Sequence, residues 1–174
     1  AFLKLQLLVP GETAAPGTAT GKIGTPASQS VGAAFNVTVN AVDANWNLVS
    51  STHTVGITSS DTGATLPANS ALVSGARSFS VTLMTFGSQT VTATAITDGR
   101  KTANTSPSIT VVIGGPVRLV VQTQPSATAT AGVAFSQQPV VRVEDTAGNL
   151  VDTNGLVITA ARAAGTGTLQ GTVT

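Results

Sequence analysis

One pattern, used twice, constrains this chain more than any other feature. Residues 35–49 read FNVTVNAVDANWNLV, and about a hundred residues later residues 135–151 read FSQQPVVRVEDTAGNLV. Each copy has a Gly three positions ahead of its Phe: Gly32 before Phe35, and Gly132 before Phe135. Each runs through an apolar-rich stretch to an Asp and then spells Asp-x-x-x-Asn-Leu-Val, at 43–49 and at 145–151. The second copy carries two extra residues between Phe and Asp. Self-similarity at such a period marks a tandem array of similar modules.

The modules read as β. Phe35, Val37, Val39 and Ala41 alternate with Asn36, Thr38 and Asn40, the pattern of a half-buried strand. Leu3, Leu5, Leu7 and Val9 alternate with Lys4 and Gln6 as an opening strand, and residues 12–27 follow as a long connection rich in Thr, Ala, Gly and Pro. Further strands are expected at 54–59, at 77–85 with Phe79, Val81 and Leu83 inward, and at 89–97 with Val91, Ala93 and Ala95 inward. Ile109, Val111 and Ile113 close the first module, and Gly114-Gly115-Pro116 is the boundary. Beyond it Val117, Leu119 and Val121 open a second module, followed by strands at 140–144, 156–161 and 168–173. The expected organisation is therefore a sandwich over 1–113, a linker at 114–116, and the first part of a second sandwich over 117–174.

Composition limits function. Charged residues are only 9 % of the 174, against roughly 25 % in an average globular protein, while 41 % are hydrophobic, enough for a packed core. The net charge is +1 and the basic residues are scattered, which argues against a phosphate-binding surface and nucleic-acid partners. No run of eighteen apolar residues occurs, so no membrane insertion by a helix is expected. With no cysteine, disulfides and thiolate metal sites are excluded.

Chemistry-bearing residues are few. His53 is the one histidine, and no G-x-S-x-G elbow accompanies it. Glu144 and Asp145 are neighbours on a strand and point to opposite faces, so they make no facing acid/base pair. An enzyme is not expected, and no cofactor is. Asp43, Asn45 and Asn47 mimic the first half of a calcium loop, but Leu48 and Thr54 stand where such a loop needs Gly and Glu, and Ala147 breaks the pattern in the second copy. An Asx turn, with Asp43 and Asp145 accepting backbone N–H groups near Asn47 and Asn149, accounts for both copies without metal. Trp46 is either a lid on the end of the sandwich or an exposed contact residue.

Short strands with a turn signal every eight to twelve residues indicate an immunoglobulin-like sandwich. Residues 28–112 resemble the bacterial immunoglobulin-like repeats of intimin- and invasin-type adhesins and other large surface proteins. The matching residues are 35–39, 43–49, the Ser59-Ser60-Asp61 turn, 79–83 and 89–94; residues 117–174 resemble the opening half of another such repeat through 130–135 and 141–149. The family commonly has Gly before the turn Asn, as at Gly148, where the first copy has Trp46. The resemblance implies tandem all-β sandwiches, the second incomplete, in an extracellular or cell-surface setting. It implies a structural role as stalk, adhesin shaft or filament, with neighbouring modules of the same or identical chains as partners. A carbohydrate- or ligand-binding accessory module is the alternative. Residues 116–174 amount to just over half of the roughly 100 residues of a full sandwich. Either a longer chain completes the second module, or another chain supplies strands by β-strand addition and builds a homopolymer.

Overall fold

The computed structural model describes residues 1–161 together with 163, 164 and 166. It is all-β: fourteen strands and no helix among the described residues. Alternation builds the centre. In β5 (Ala34–Val42) the residues Phe35, Val37, Val39 and Ala41 are all buried. On one side β5 pairs antiparallel with β1 (Lys4–Leu8), setting Leu5 opposite Ala41 and Leu7 opposite Val39. On the other it pairs with β8 (Ala76–Thr82), setting Val37 opposite Phe79 and Phe35 opposite Val81. Period-2 patterning thus leaves Leu8 and Val42 on one face and puts Leu5, Leu7, Phe35, Val37, Val39, Ala41, Phe79 and Val81 on the other.

A second sheet takes that face. β6 (Thr54–Ser59) lies between β10 (Val91–Ala95) and β7 (Ser70–Ala71), and β11 (Asn104–Thr105) extends it beyond β10. Val55, Ile57, Val91, Ala93 and Ala95 pack with Leu5, Leu7, Val37 and Val39 in one core, the sheet-on-sheet arrangement of a sandwich. A small third sheet, β4 (Gln29–Ser30), β12 (Ile109–Val112) and β9 (Gly87–Gln89), adds Ile109 and Val111 to that core.

The structure departs from the sequence expectations in four places. Residues 12–27 are not an open connection: β2 (Glu12–Ala14) and β3 (Lys22–Gly24) form a hairpin. Its Gly21 carbonyl accepts from Gln6 Nε2 at 2.6 Å, so Gln6, on the face opposite Leu5 and Leu7, is buried. The strand expected over 89–97 is broken at Thr90. There the carbonyl accepts from Ser59 Oγ and Ser60 N, the amide donates to Ser60 Oγ, and the chain passes from one sheet to another. Ile113 is exposed beside the linker rather than inward. Residues 156–161 form no strand; the strand expected over 168–173 lies outside the described residues.

After the linker, β13 (Arg118–Thr123) pairs antiparallel with β14 (Val140–Glu144). One face carries Leu119 opposite Val143 and Val121 opposite Val141. On the other, Glu144 accepts from Arg118 Nε at 2.8 Å and is also paired with Arg142. No strand covers the apolar face among the described residues, and Leu119, Val121, Val140 and Val141 are exposed. Phe135, whose counterpart Phe35 is buried, is exposed as well.

Candidate functional site

The two copies of the repeated turn are closed by the same set of hydrogen bonds. Asp43 Oδ1 accepts from the amides of Asn45 at 2.8 Å and Asn47 at 2.9 Å. Asp145 Oδ1 accepts from the amides of Ala147 and Asn149, both at 2.9 Å. In each copy the Asn side-chain amide donates to Oδ2 at 3.0 Å. The backbone closes both loops identically, Asp43 N to Asn47 O and Asp145 N to Asn149 O at 3.0 Å. The carboxylates therefore face converging N–H donors. For Asp43, the Asn47 side chain and then the backbone amides hold the pKa below the ordinary carboxylate value. For Asp145, burial works the other way, and hydrogen bonds from Asn149, Gly114 and Ala147 outweigh it, again lowering the pKa.

The copies differ in what surrounds them. Asp145 is fully buried, and its Oδ2 accepts a further hydrogen bond from the Gly114 amide of the linker at 3.2 Å. Thr146 Oγ1 donates to the Val31 carbonyl at 3.4 Å, and Ala147 packs against the core of the N-terminal sandwich. Gly32, at φ 73, faces Thr146 so closely that any Cβ there would collide with its hydroxyl. The second turn thus sits on the end of the N-terminal sandwich, on Val31, Gly32 and Gly114. One carboxylate serves its own loop and the linker at once.

The first turn has no such neighbour, and Ala44, Asn45 and Asn47 are exposed. Its sequence departure from the second copy, Trp46, has φ 67; Gly148 at the equivalent place has φ 87. A left-handed conformation explains why Gly suits the position. The indole is pinned from several sides. Its Nε1 donates to Ala19 O at 3.3 Å, Gly21 lies against the ring, and the Lys4 ammonium is 3.4 Å from the ring centroid. The β2–β3 hairpin thus closes over Trp46, and Gly17 N donates to Asn45 O. Lys22 ties the hairpin to Glu12 at 2.8 Å, with the Glu12 side chain buried.

His53 accepts or donates through Nδ1 to Ser51 Oγ at 2.9 Å and meets the Phe2 ring edge-on. One buried carboxylate escaped the sequence reading. Asp61 accepts from the amides of Gly63, Met84 and Thr85 and from Thr85 Oγ1 at 2.7 Å, tying the turn after β6 to the end of β8. Only its place in the Ser-Ser-Asp turn hinted at it; two of the partners lie more than twenty residues on.

No family model and no curated protein matches the chain. Among solved structures, that of surface layer protein SbsC, domains 1–6, overlaps 95 % of this chain at 20 % identity with a TM-score of 0.44. The chain spans 20 % of the length of that solved chain.

Proposed function

We propose that this chain is a non-catalytic structural module of a bacterial extracellular or cell-surface repeat protein, a spacer of the stalk or adhesin-shaft kind with tandem immunoglobulin-like units. The resemblance of residues 28–112 and 117–174 to such repeats supports the setting. One observation carries the mechanical reading: the Asp145 carboxylate is shared between its own turn and the Gly114 amide. Two of the three linker residues are glycines, whose freedom Pro116 removes only in part. Holding the linker's first amide from the next unit, with Thr146 against Gly32, removes that freedom. A spacer needs such joints, because reach depends on the angle between units staying fixed. The ligand-binding alternative draws on exposed aromatics grouped on one face; the Trp46 ring is taken by Lys4 and Gly21, and the exposed Phe86 and Phe135 lie on opposite sides of the linker in the sequence.

The absence of cysteine allows a direct test. Cysteines introduced at Thr62 and Ala129, one on either side of the linker, carry spin labels. The expected inter-label distance distribution is narrow in the parent chain and broadens in Asp145→Ala. A broad distribution in the parent would end the spacer reading.

A further inference from the structure

We infer that Asn154-Gly155 is a self-modifying site, at which the Gly155 amide nitrogen closes on the Asn154 side chain and an aspartyl or isoaspartyl residue results. This goes beyond the spacer reading and does not depend on it. Of the eight asparagines, Asn154 alone is followed by Gly. The reaction needs no reagent but water. Gly155 N attacks Asn154 Cγ and loses its proton, the Cγ–Nδ2 bond breaks, and ammonia leaves a cyclic imide behind. Water then opens the imide at either carbonyl. Opening at Cγ gives Asp in an ordinary backbone. Opening at the backbone carbonyl routes the chain through the side chain and adds one methylene to it.

The fold leaves this pair open and restrains the others. Asn154 and Gly155 are exposed in a turn, the conformation that Asn-Gly favours. Gly155 has φ 82, and no described atom lies within 4 Å of the place a Cβ would take. With no Cβ, glycine leaves its own nitrogen unshielded and lets the loop reach the geometry of ring closure. Elsewhere the residue after Asn carries a Cβ, and most of these asparagines are held. Asn36 and Asn40 lie in β5 and Asn104 in β11, where the ladder keeps the backbone from folding onto the side chain. Asn40 Nδ2 donates to Gln6, Asn47 Nδ2 to Asp43 and Asn149 Nδ2 to Asp145. Asp98-Gly99 could reach the same imide only from a neutral carboxyl, and the Arg100 amide and Lys101 hold Asp98 ionised. Conversion at Asn154 falls three residues past Val151, whose amide donates to Val143 O at 2.9 Å, so it changes the loop and spares that bond. One added negative charge takes the formal net charge from +1 to zero. The converted fraction therefore records the age of the chain.

Incubation of the full chain in heavy-oxygen water at mildly alkaline pH, once folded and once in urea, reads the site. The tryptic peptide 143–162 is expected to gain the mass of an amide-to-acid exchange carrying one heavy oxygen. It should also become a substrate for an isoaspartate-specific methyltransferase, while the whole chain shifts to a more acidic isoelectric point. The folded chain is expected to convert at close to the rate of the chain in urea. Gly155→Ala should slow conversion at least about tenfold, because the new methyl shields the nitrogen. That variant also strains the turn, so Asn154→Gln supplies a second readout: its longer side chain closes a larger ring, and the acidic shift should vanish. Conversion first at another asparagine, an unchanged 143–162 peptide, or a folded chain at least about tenfold slower than the chain in urea would each overturn the site. None of these outcomes bears on the inter-label distance across the linker, so the site and the spacer reading fail separately.

Discussion

At the scale of single residues, Asp43, Asp61 and Asp145 each gather several N–H or O–H donors in a protein with few charges. Asp61 answers four donors from one carboxylate. Replacing it with Ala leaves four part-buried donors without their acceptor, and the expected loss is about 1–3 kcal/mol, read as a lower urea midpoint. Burial disfavours the ionised form of Asp61, yet Thr85, Met84 and Gly63 together hold its pKa below the ordinary value. Asp145 behaves likewise. A carboxylate with a depressed folded pKa contributes stability that is fully present above its unfolded pKa of about 4 and is lost as pH falls through the folded value. Thermal unfolding is therefore expected to be flat from neutrality down to about pH 5 and to fall steeply below 4. Asp61→Asn should flatten part of that slope; an unchanged slope would mean that Asp61 does not carry it. EDTA at neutral pH is expected to leave the transition where it is, since the Asp43 oxygens face N–H donors. A lower transition on chelation would point to an ion instead.

At the scale of elements, legibility followed locality. Thr54–Ser59 and Val140–Glu144 coincide with the strands expected from alternation, because each is decided by its own apolar pattern. The Asp-x-x-x-Asn turn follows the same rule only in its closing bonds, accepted by the Asp from the Asn and from the residue midway between, which fall within five residues; its contacts with Gly114, Val31, Gly17 and Ala19 do not. The hairpin of β2 and β3 was not legible. Its strands are short and polar, and beyond its own Glu12–Lys22 pair what holds it lies elsewhere in the chain, at Gln6 and Trp46. The sheet switch at Thr90 needs Ser59 and Ser60, thirty residues away, and residues 89–97 by themselves look continuous. The Asp145 joint also needed coordinates, because both Gly32 and Gly132 precede a Phe but only Gly32 meets a neighbour. This view of the hairpin makes a prediction about Trp46. Trp46→Gly relieves a left-handed residue, a gain of about 1–2 kcal/mol, but forfeits the indole contacts with Gly21, Ala19 and Lys4, worth more when a large aromatic is half-buried. A net loss of about 1 kcal/mol is expected. Cleavage by a protease should begin within residues 12–24, where the parent resists.

At the scale of the whole molecule, stability is unevenly spread. The core is assembled almost entirely by residues 2–111, from two facing sheets and the small third one, and many of its aliphatics are fully buried. Residues 117–161 have a two-stranded sheet with one apolar face open. Such a pair is marginal unless something packs on it. What holds it is the seat of its turn on Val31, Gly32 and Gly114, together with the Arg118–Glu144–Arg142 cluster. Opening of the two parts is therefore expected to be uncoupled in one direction only. Native-state hydrogen exchange at low concentration should show the amides of β14 exchanging through a local opening, while those of β5, β8 and β10 wait for global unfolding. Gly32→Ala makes the coupling visible. The new methyl collides with the Thr146 hydroxyl and must be held at φ 73, so the turn is pushed off its seat. Exchange in β14 should then accelerate, while β10, remote from Gly32 in the sheet order, keeps most of its protection. Equal acceleration in both would mean that the chain opens as one cooperative unit and that the seat is part of the core.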